Sequence, residues 1–252
     1  MEYAKSRKIV GIPFGISNEG NEISLSLPSE YKNHCYIMGG PGSGKSVLLK
    51  EIMDSFVKRY DESQVVVWTN LDYELIGQDS RGSVLKMYQS NTNYEVAMKY
   101  LFSRLSDEAD RRREIMFRKG VGSYTEVDSL PLLIAIIDDF VMFDYCTEIA
   151  EKMNFIMRFA NVLGITLICA SQMSIGRLCR YLYMGTELFN TRICLKSSRD
   201  KVLEAMDMPN GGASTEIDDK IDRLLYGKTG DFLLYNLYGP GTLLEGHVKY
   251  DN

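Results

Sequence analysis

The chain has 252 residues, 45% hydrophobic and 25% charged, ordinary globular proportions that exclude a disordered or fibrous polypeptide. Its 34 acidic and 29 basic side chains leave a net charge of −5, so the chain as a whole is no polycation, and any contact with nucleic acid has to come from a local basic patch. Five cysteines (Cys35, Cys146, Cys169, Cys179, Cys194) lack C-x-x-C spacing, which argues against a metal cluster and for buried free thiols in a reducing cytosol.

In chain order the first predicted element is a hairpin: IPFGISNEGNEISLSL alternates in polarity and turns at NEGNE. Cys35 to Met38 is a short apolar strand. A glycine-rich run follows it, then a helix with Val47, Leu48, Ile52 and Phe56 at helical spacing. Gln64 to Trp68 is a β-branched strand, and Val84 to Tyr88 is another short one. Tyr94 to Lys119 is a long charged helix, with Val96, Tyr100, Leu101, Leu105 and Met116 as its apolar face and Arg111, Arg112 and Arg113 on the other. After Pro131, LLIAII is a continuous apolar strand of the kind found in a covered parallel sheet, and Asp138 and Asp139 end it. Thr147 to Asn161 is helical, Gly164 caps that helix, and Thr166 to Ala170 is a further buried strand. Thr191 to Lys196 is a strand, 208 to 220 a polar mobile loop, and DFLLYNLYGPGTLLEGHV a closing hairpin turning at Gly239, Pro240 and Gly241. Strands alternating with helices predict an α/β fold with a mainly parallel central sheet, in a single domain over 1–252. The longest apolar runs, LPLLIAII and GITLICA, fall far short of the roughly 20 residues that span a bilayer, and the amino terminus shows no signal-peptide pattern, so the expected location is the cytoplasm.

The chemistry concentrates at three places. Gly39, Gly40, Pro41, Gly42, Ser43, Gly44, Lys45 and Ser46 match the P-loop pattern GxxxxGK[ST] at every fixed position, with Val47 next in the cradle and a strand and a helix on either side as the pattern requires. Its glycines let backbone N–H groups converge on phosphates, Lys45 neutralises the outer phosphates, and Ser46 offers a hydroxyl to magnesium. ATP and magnesium are the cofactors this implies. Asp138 and Asp139 form the acidic pair of a P-loop ATPase, Asp138 holding magnesium and Asp139 polarising the attacking water. An Asp is one methylene shorter than a Glu, which sets the carboxylate of Asp139 back from that water. Gln172, beyond the strand TLICA, stands at the carboxyl end of a parallel strand and is expected to sense the γ-phosphate.

Together these pieces resemble the FtsK/SpoIIIE family of the FtsK/HerA group of RecA-like P-loop motors, over most of the chain. The hairpin followed by GGPGSGKSVLL resembles that family's entry to the P-loop, and DEADRRREIMFRKGVGSY its ExxRR helix and Gly-Val turn. DDF stands at its acidic pair, LGITLICASQ at its stretch ending in a sensor glutamine, TRICLKSSRDKVLEAM at its Arg-Ile strand and Ser-Arg helix, and YGKTGDFLLYN at its closing hairpin. The resemblance implies a homo-oligomeric ring, expected to be a hexamer, that pulls double-stranded DNA through its pore. In the EssC/EccC branch it implies type VII secretion of proteins with weak hydrolysis. It also implies a membrane tether outside this chain and a basic residue acting on the neighbouring subunit's ATP, with Lys99, Arg104, Arg111, Arg112 and Arg192 at matching positions. Three positions depart from the pattern: Asp139 where active members usually carry Glu, Thr69 and Leu71 where many DNA translocases have an Asp and a Lys, and Asn161 where an Arg is common.

Overall fold

The computed structural model describes residues 11–26, 34–71, 85–87, 94–140, 147–181, 185–206, 215–237 and 243–249. The apolar runs become ten strands of one sheet among these residues. They are β1 (Gly11–Ser17), β2 (Glu22–Ser26), β3 (Cys35–Met38), β4 (Val65–Thr69), β5 (Leu85–Met87), β6 (Leu132–Ile137), β7 (Ile165–Ser171), β8 (Thr191–Leu195), β9 (Asp231–Asn236) and β10 (Leu244–Val248), in the spatial order β2-β1-β10-β9-β8-β3-β7-β6-β4-β5. The run from β8 to β5 is parallel throughout, and the two hairpins extend it antiparallel from β9 to β2. This is the mainly parallel α/β sheet the sequence predicts, with the leading and closing hairpins joined side by side through β1 and β10. The turn at Gly239 to Gly241 and Cys146 lie outside the described residues.

Successive residues of β3 fall in different cores, Cys35 and Ile37 on one face of the sheet and Tyr36 and Met38 on the other, as the two-residue strand period requires. One face is covered by α1 (Lys45–Arg59) through Leu48, Leu49, Ile52, Met53 and Phe56. The other is covered by α2 (Tyr94–Lys119), α3 (Thr147–Arg158), α5 (Ile175–Tyr181), α6 (Arg199–Ala205) and α7 (Thr215–Tyr226). Between α3 and β7 comes the single turn α4 (Ala160–Leu163), so the helix expected as far as Asn161 breaks at Phe159. Gly164 closes α4 at φ 66° and lies flat against Tyr124, whose ring a Cβ there would meet at 2.4 Å.

Two further expectations are corrected. On α2 the buried side is Ala97, Met98, Leu101, Phe102, Leu105, Ala109, Arg112 and Met116, while Val96 and Tyr100 face outward at 54% and 56% exposure. Three consecutive arginines are spread over about 200° of a helix, so they cannot share one face, and Arg112 falls on the buried side. The stretch 208 to 220 is not all loop, because α7 begins at Thr215. Ile221 and Leu224 are buried there and Ile217 packs beside them, an apolar stripe strong enough to fold a segment whose polar composition reads as a turn. No helix of the described residues is long and apolar enough to cross a membrane.

The four described cysteines are free and buried. Burial pushes the Cys194 thiol up to about 12 and holds Cys35 and Cys169 in the neutral form as well. His34 enters β3 with both ring nitrogens bonded to backbone. Nδ1 accepts the Leu167 N–H (3.0 Å), which leaves the proton on Nε2 to donate to Met157 O (3.0 Å).

Candidate functional site

Because β3, β4, β6, β7 and β8 are parallel, their carboxyl ends share one edge, and each predicted site residue lies just beyond such an end. The loop after β3 is wedged between its neighbours: Gly39 N–H donates to Ser171 O at 3.3 Å and Gly40 N–H to Lys196 O at 2.8 Å. Gly39 has no room for a side chain, since a Cβ would stand 2.3 Å from Ser43 Oγ and 3.0 Å from Leu195 Cβ. Gly44 takes φ 98° on entering α1, a conformation that L side chains avoid, and faces Gly230 at the start of the closing hairpin. Gly230 N–H in turn donates to Ser43 O (3.2 Å), so the hairpin braces the loop from behind.

The cradle is built for an anion. The Ser43 hydroxyl is buried without a hydrogen-bond partner, a cost that a phosphate oxygen would remove. Lys45 folds back across the loop and donates to Gly39 O (3.0 Å) and Gly40 O (2.9 Å). Burial pushes its ammonium down from the ordinary lysine value, against the opposing pull of the Asp138 and Asp139 charges. Ser46 Oγ donates to Asp138 Oδ2 at 2.6 Å, bringing together the two oxygens expected to hold magnesium. These residues fit a magnesium nucleotide: Gly39 to Val47 would hold its phosphates, and Ser46 and Asp138 its metal.

Asp138 is fixed by a residue that the sequence reading passes over. Asn70, just past β4, accepts the Asp138 N–H on Oδ1 (2.9 Å) and donates from Nδ2 to Asp138 O (3.0 Å), a two-point grip on the backbone of one residue. The signal was a lone carboxamide ending the apolar strand VVVWT, hidden between the two positions compared with DNA translocases. Those positions are buried: Thr69 Oγ1 accepts the Leu71 N–H at 3.0 Å and Leu71 joins the α1 core. Asn161 is exposed on α4.

Asp139 is exposed at φ 49°, its N–H bonded to Asp138 Oδ1 (2.8 Å). Beside it opens a cleft of about 470 Å³ lined by Asp139, Ser171, Gln172, Met173, Ser174, Arg177 and Lys201. The predicted sensor and the predicted water-polarising acid therefore face one space, and Arg177 and Lys201 add two cations to it that the sequence reading did not single out. Pro41 and Gly42 form the exposed lip of the loop.

The basic residues divide sharply. Arg192 is fully buried and donates to Phe189 O, Ala205 O and Thr186 O at 2.8 to 2.9 Å. Arg112 donates to Leu163 O (2.8 Å) and Gly164 O (3.0 Å) and pairs with Glu108. Burial alone would raise the Glu108 carboxyl, but Arg111 and Arg112 together hold it below its ordinary range. Arg112 ties α2 to the end of α4, Arg192 ties β8 to the turn before it and to α6, and neither reaches outward. Lys99, Arg104 and Arg111 are exposed on α2, with Arg104 near Asp107 (3.5 Å) and Arg111 on Glu108 (2.6 Å).

No curated protein matches the chain. Among solved structures it is similar to the cytoplasmic domain of the type VII secretion ATPase EccC of Thermomonospora curvata, with 17% identity and a TM-score of 0.75 over 99% of this chain and 30% of that one. It is also similar to ATPases 2 and 3 of EssC from Geobacillus thermodenitrificans (12%, 0.64, 100% of this chain and 47% of that one) and to VirB4 of Thermoanaerobacter pseudethanolicus (11%, 0.60, 95% and 96%). The chain thus spans less than half the length of the EccC and EssC chains it matches, and these likenesses carry the fold alone. The model of the FtsK/SpoIIIE family matches residues 1–184, well over half of the sequence, and the chain belongs to the FtsK/SpoIIIE family.

Proposed function

We propose that this domain binds magnesium ATP at Gly39 to Val47, hydrolyses it, and works in a ring that moves a polymer, with double-stranded DNA as the first reading. The observation that carries the nucleotide part is the 2.6 Å contact of Ser46 with Asp138 under an anion cradle whose Ser43 hydroxyl is unsatisfied. When bound, magnesium would neutralise charge between the outer phosphates. The chain's own groups do the rest: Lys45 holds the phosphates, Asn70 fixes Asp138, Asp139 orients and polarises water, and Gln172 senses the γ-phosphate across the cleft.

Assembly is supported by α2. Val96, Tyr100, Arg104 and Arg111 recur on one outward stripe of that helix, apolar groups exposed beside cations. Such a stripe suits a neighbouring subunit, and Lys99, Arg104 and Arg111 remain as the residues able to reach its nucleotide.

A second reading is favoured by the net charge of −5 and by the fold shared with EccC, which has been solved with a signal sequence peptide. It is a type VII secretion domain that recognises a secreted protein and hydrolyses ATP weakly. The ATPase rate with and without long duplex DNA at two salt concentrations separates the two. A DNA motor is stimulated severalfold at low salt and loses the stimulation as salt releases the phosphate contacts. No response to DNA, together with binding of a secreted helical hairpin, favours secretion.

A further inference from the structure

The segment leaving β7 carries Gln172, yet among the described residues no strand pairs with it there. Its backbone is held instead by side chains from elsewhere. Lys201 Nζ donates to Gln172 O (2.9 Å), and Glu204 Oε1 accepts the Gly176 N–H (3.1 Å). Lys201 and Glu204 are three residues apart on α6, so they share one face of that helix, a cation on a carbonyl and an anion on an amide. From the other side, Tyr36 Oη donates to Met173 O at 2.7 Å. The helix that supplies the first two contacts is itself tied to the phosphate loop. It starts three residues past Lys196, whose carbonyl accepts the Gly40 N–H. At its far side Arg199 forms ion pairs with Asp218 and Asp222 of α7.

We infer that Lys201 is a positioning residue for the γ-phosphate sensor: it sets the height of the Gln172 peptide in the cleft and couples it, through α6 and Lys196, to the phosphate loop. This rests on the reading of Gln172 as the sensor. Lys201 is half-buried, and its ammonium is engaged with a backbone carbonyl, so the simplest role for it is to fix the peptide rather than to touch phosphate. A displacement of that peptide moves the Gln172 side chain with it, and misplacing a catalytic group by an ångström costs up to about a hundredfold in rate.

The test uses the full chain carrying Lys201→Met, which keeps the stem and removes the donor, with Lys201→Arg as the conservative rescue and Gln172→Ala as reference. Without nucleotide, hydrogen exchange over 171–181 is expected to rise at least about threefold in Lys201→Met and to return towards wild type in Lys201→Arg. With ATP, kcat is expected to fall about tenfold in Lys201→Met at unchanged nucleotide affinity and melting temperature, with no further loss in the Gln172→Ala background. Unchanged exchange in Lys201→Met overturns the inference. So does a normal kcat in Lys201→Met while Gln172→Ala is impaired, or a full additive loss in the double variant, which would mean that Lys201 acts on its own. If Gln172→Ala itself keeps the wild-type kcat, the sensor reading fails and this inference falls with it.

Discussion

Asp139 illustrates how much a backbone angle decides. It is the one non-glycine residue at positive φ among those described, at 49°, where Asp is tolerated because its short side chain can bond locally and longer side chains are strained. From spacing alone the residue reads as a Glu one methylene too short, but the backbone here favours the shorter acid. Asp139→Asn should keep the loop and the nucleotide affinity while lowering the ATPase rate by about 10²- to 10³-fold. Asp139→Glu should not exceed the wild-type rate, and a faster enzyme would show that carboxylate reach limits hydrolysis. Arg112 is the residue where position in sequence misleads most. Its neighbours Arg111 and Arg113 are exposed, whereas Arg112 is 1% exposed with two carbonyls and a carboxylate around it. Arg112→Met should therefore destabilise the fold by about 3 kcal/mol, seen as a lower melting temperature, because Leu163 O and Gly164 O lose their buried donor. A variant with a normal melting temperature and a defect confined to the assembled ring would return Arg112 to the list of residues acting between subunits.

Among elements, those that carry their own local signal were legible. The β1–β2 turn, the strand-loop-helix around Lys45 and the acidic end of β6 each need only a few neighbouring residues, and they stand where expected to within about two residues. Elements that depend on distant partners were not. The short α5 and the buried stripe of α7 are stabilised by packing on the sheet, and the exposure of Val96 and Tyr100 follows from how α2 docks. The junction of β3 and β7 is of this second kind, since His34 bonds backbone groups more than a hundred residues away. Burial lowers the pKa of His34 from 6.5 to about 4, the Met157 hydrogen bond opposing this only in part. The folded protein thus refuses a proton that the unfolded chain accepts below 6.5. The His34 contribution is whole above pH 6.5 and is lost as pH falls towards 4, a loss of about 3 kcal/mol in unfolding free energy. Urea titrations at pH 7.5 and 4.5 should show this loss, and His34→Gln should show less of it. Equal pH dependence in the two proteins would mean that other groups account for it.

In the molecule as a whole, one sheet edge gathers what the sequence scatters: Lys45 and Ser46 after β3, Asn70 after β4, Asp138 and Asp139 after β6, Gln172 after β7. The sequence named most of these, because phosphate binding and metal holding demand particular residue types at fixed spacing. It missed Asn70, Arg177 and Lys201, whose roles come from strand order and from a helix that begins near the loop, neither of which has a local signature. All of these roles depend on this edge holding a magnesium nucleotide. Equilibrium binding of ATP to the wild-type chain and to Lys45→Ala, with and without magnesium, tests it most directly. Magnesium-dependent binding that weakens about 100-fold in Lys45→Ala is the predicted result. If Lys45→Ala binds ATP as tightly as wild type, the account of the phosphate cradle is wrong.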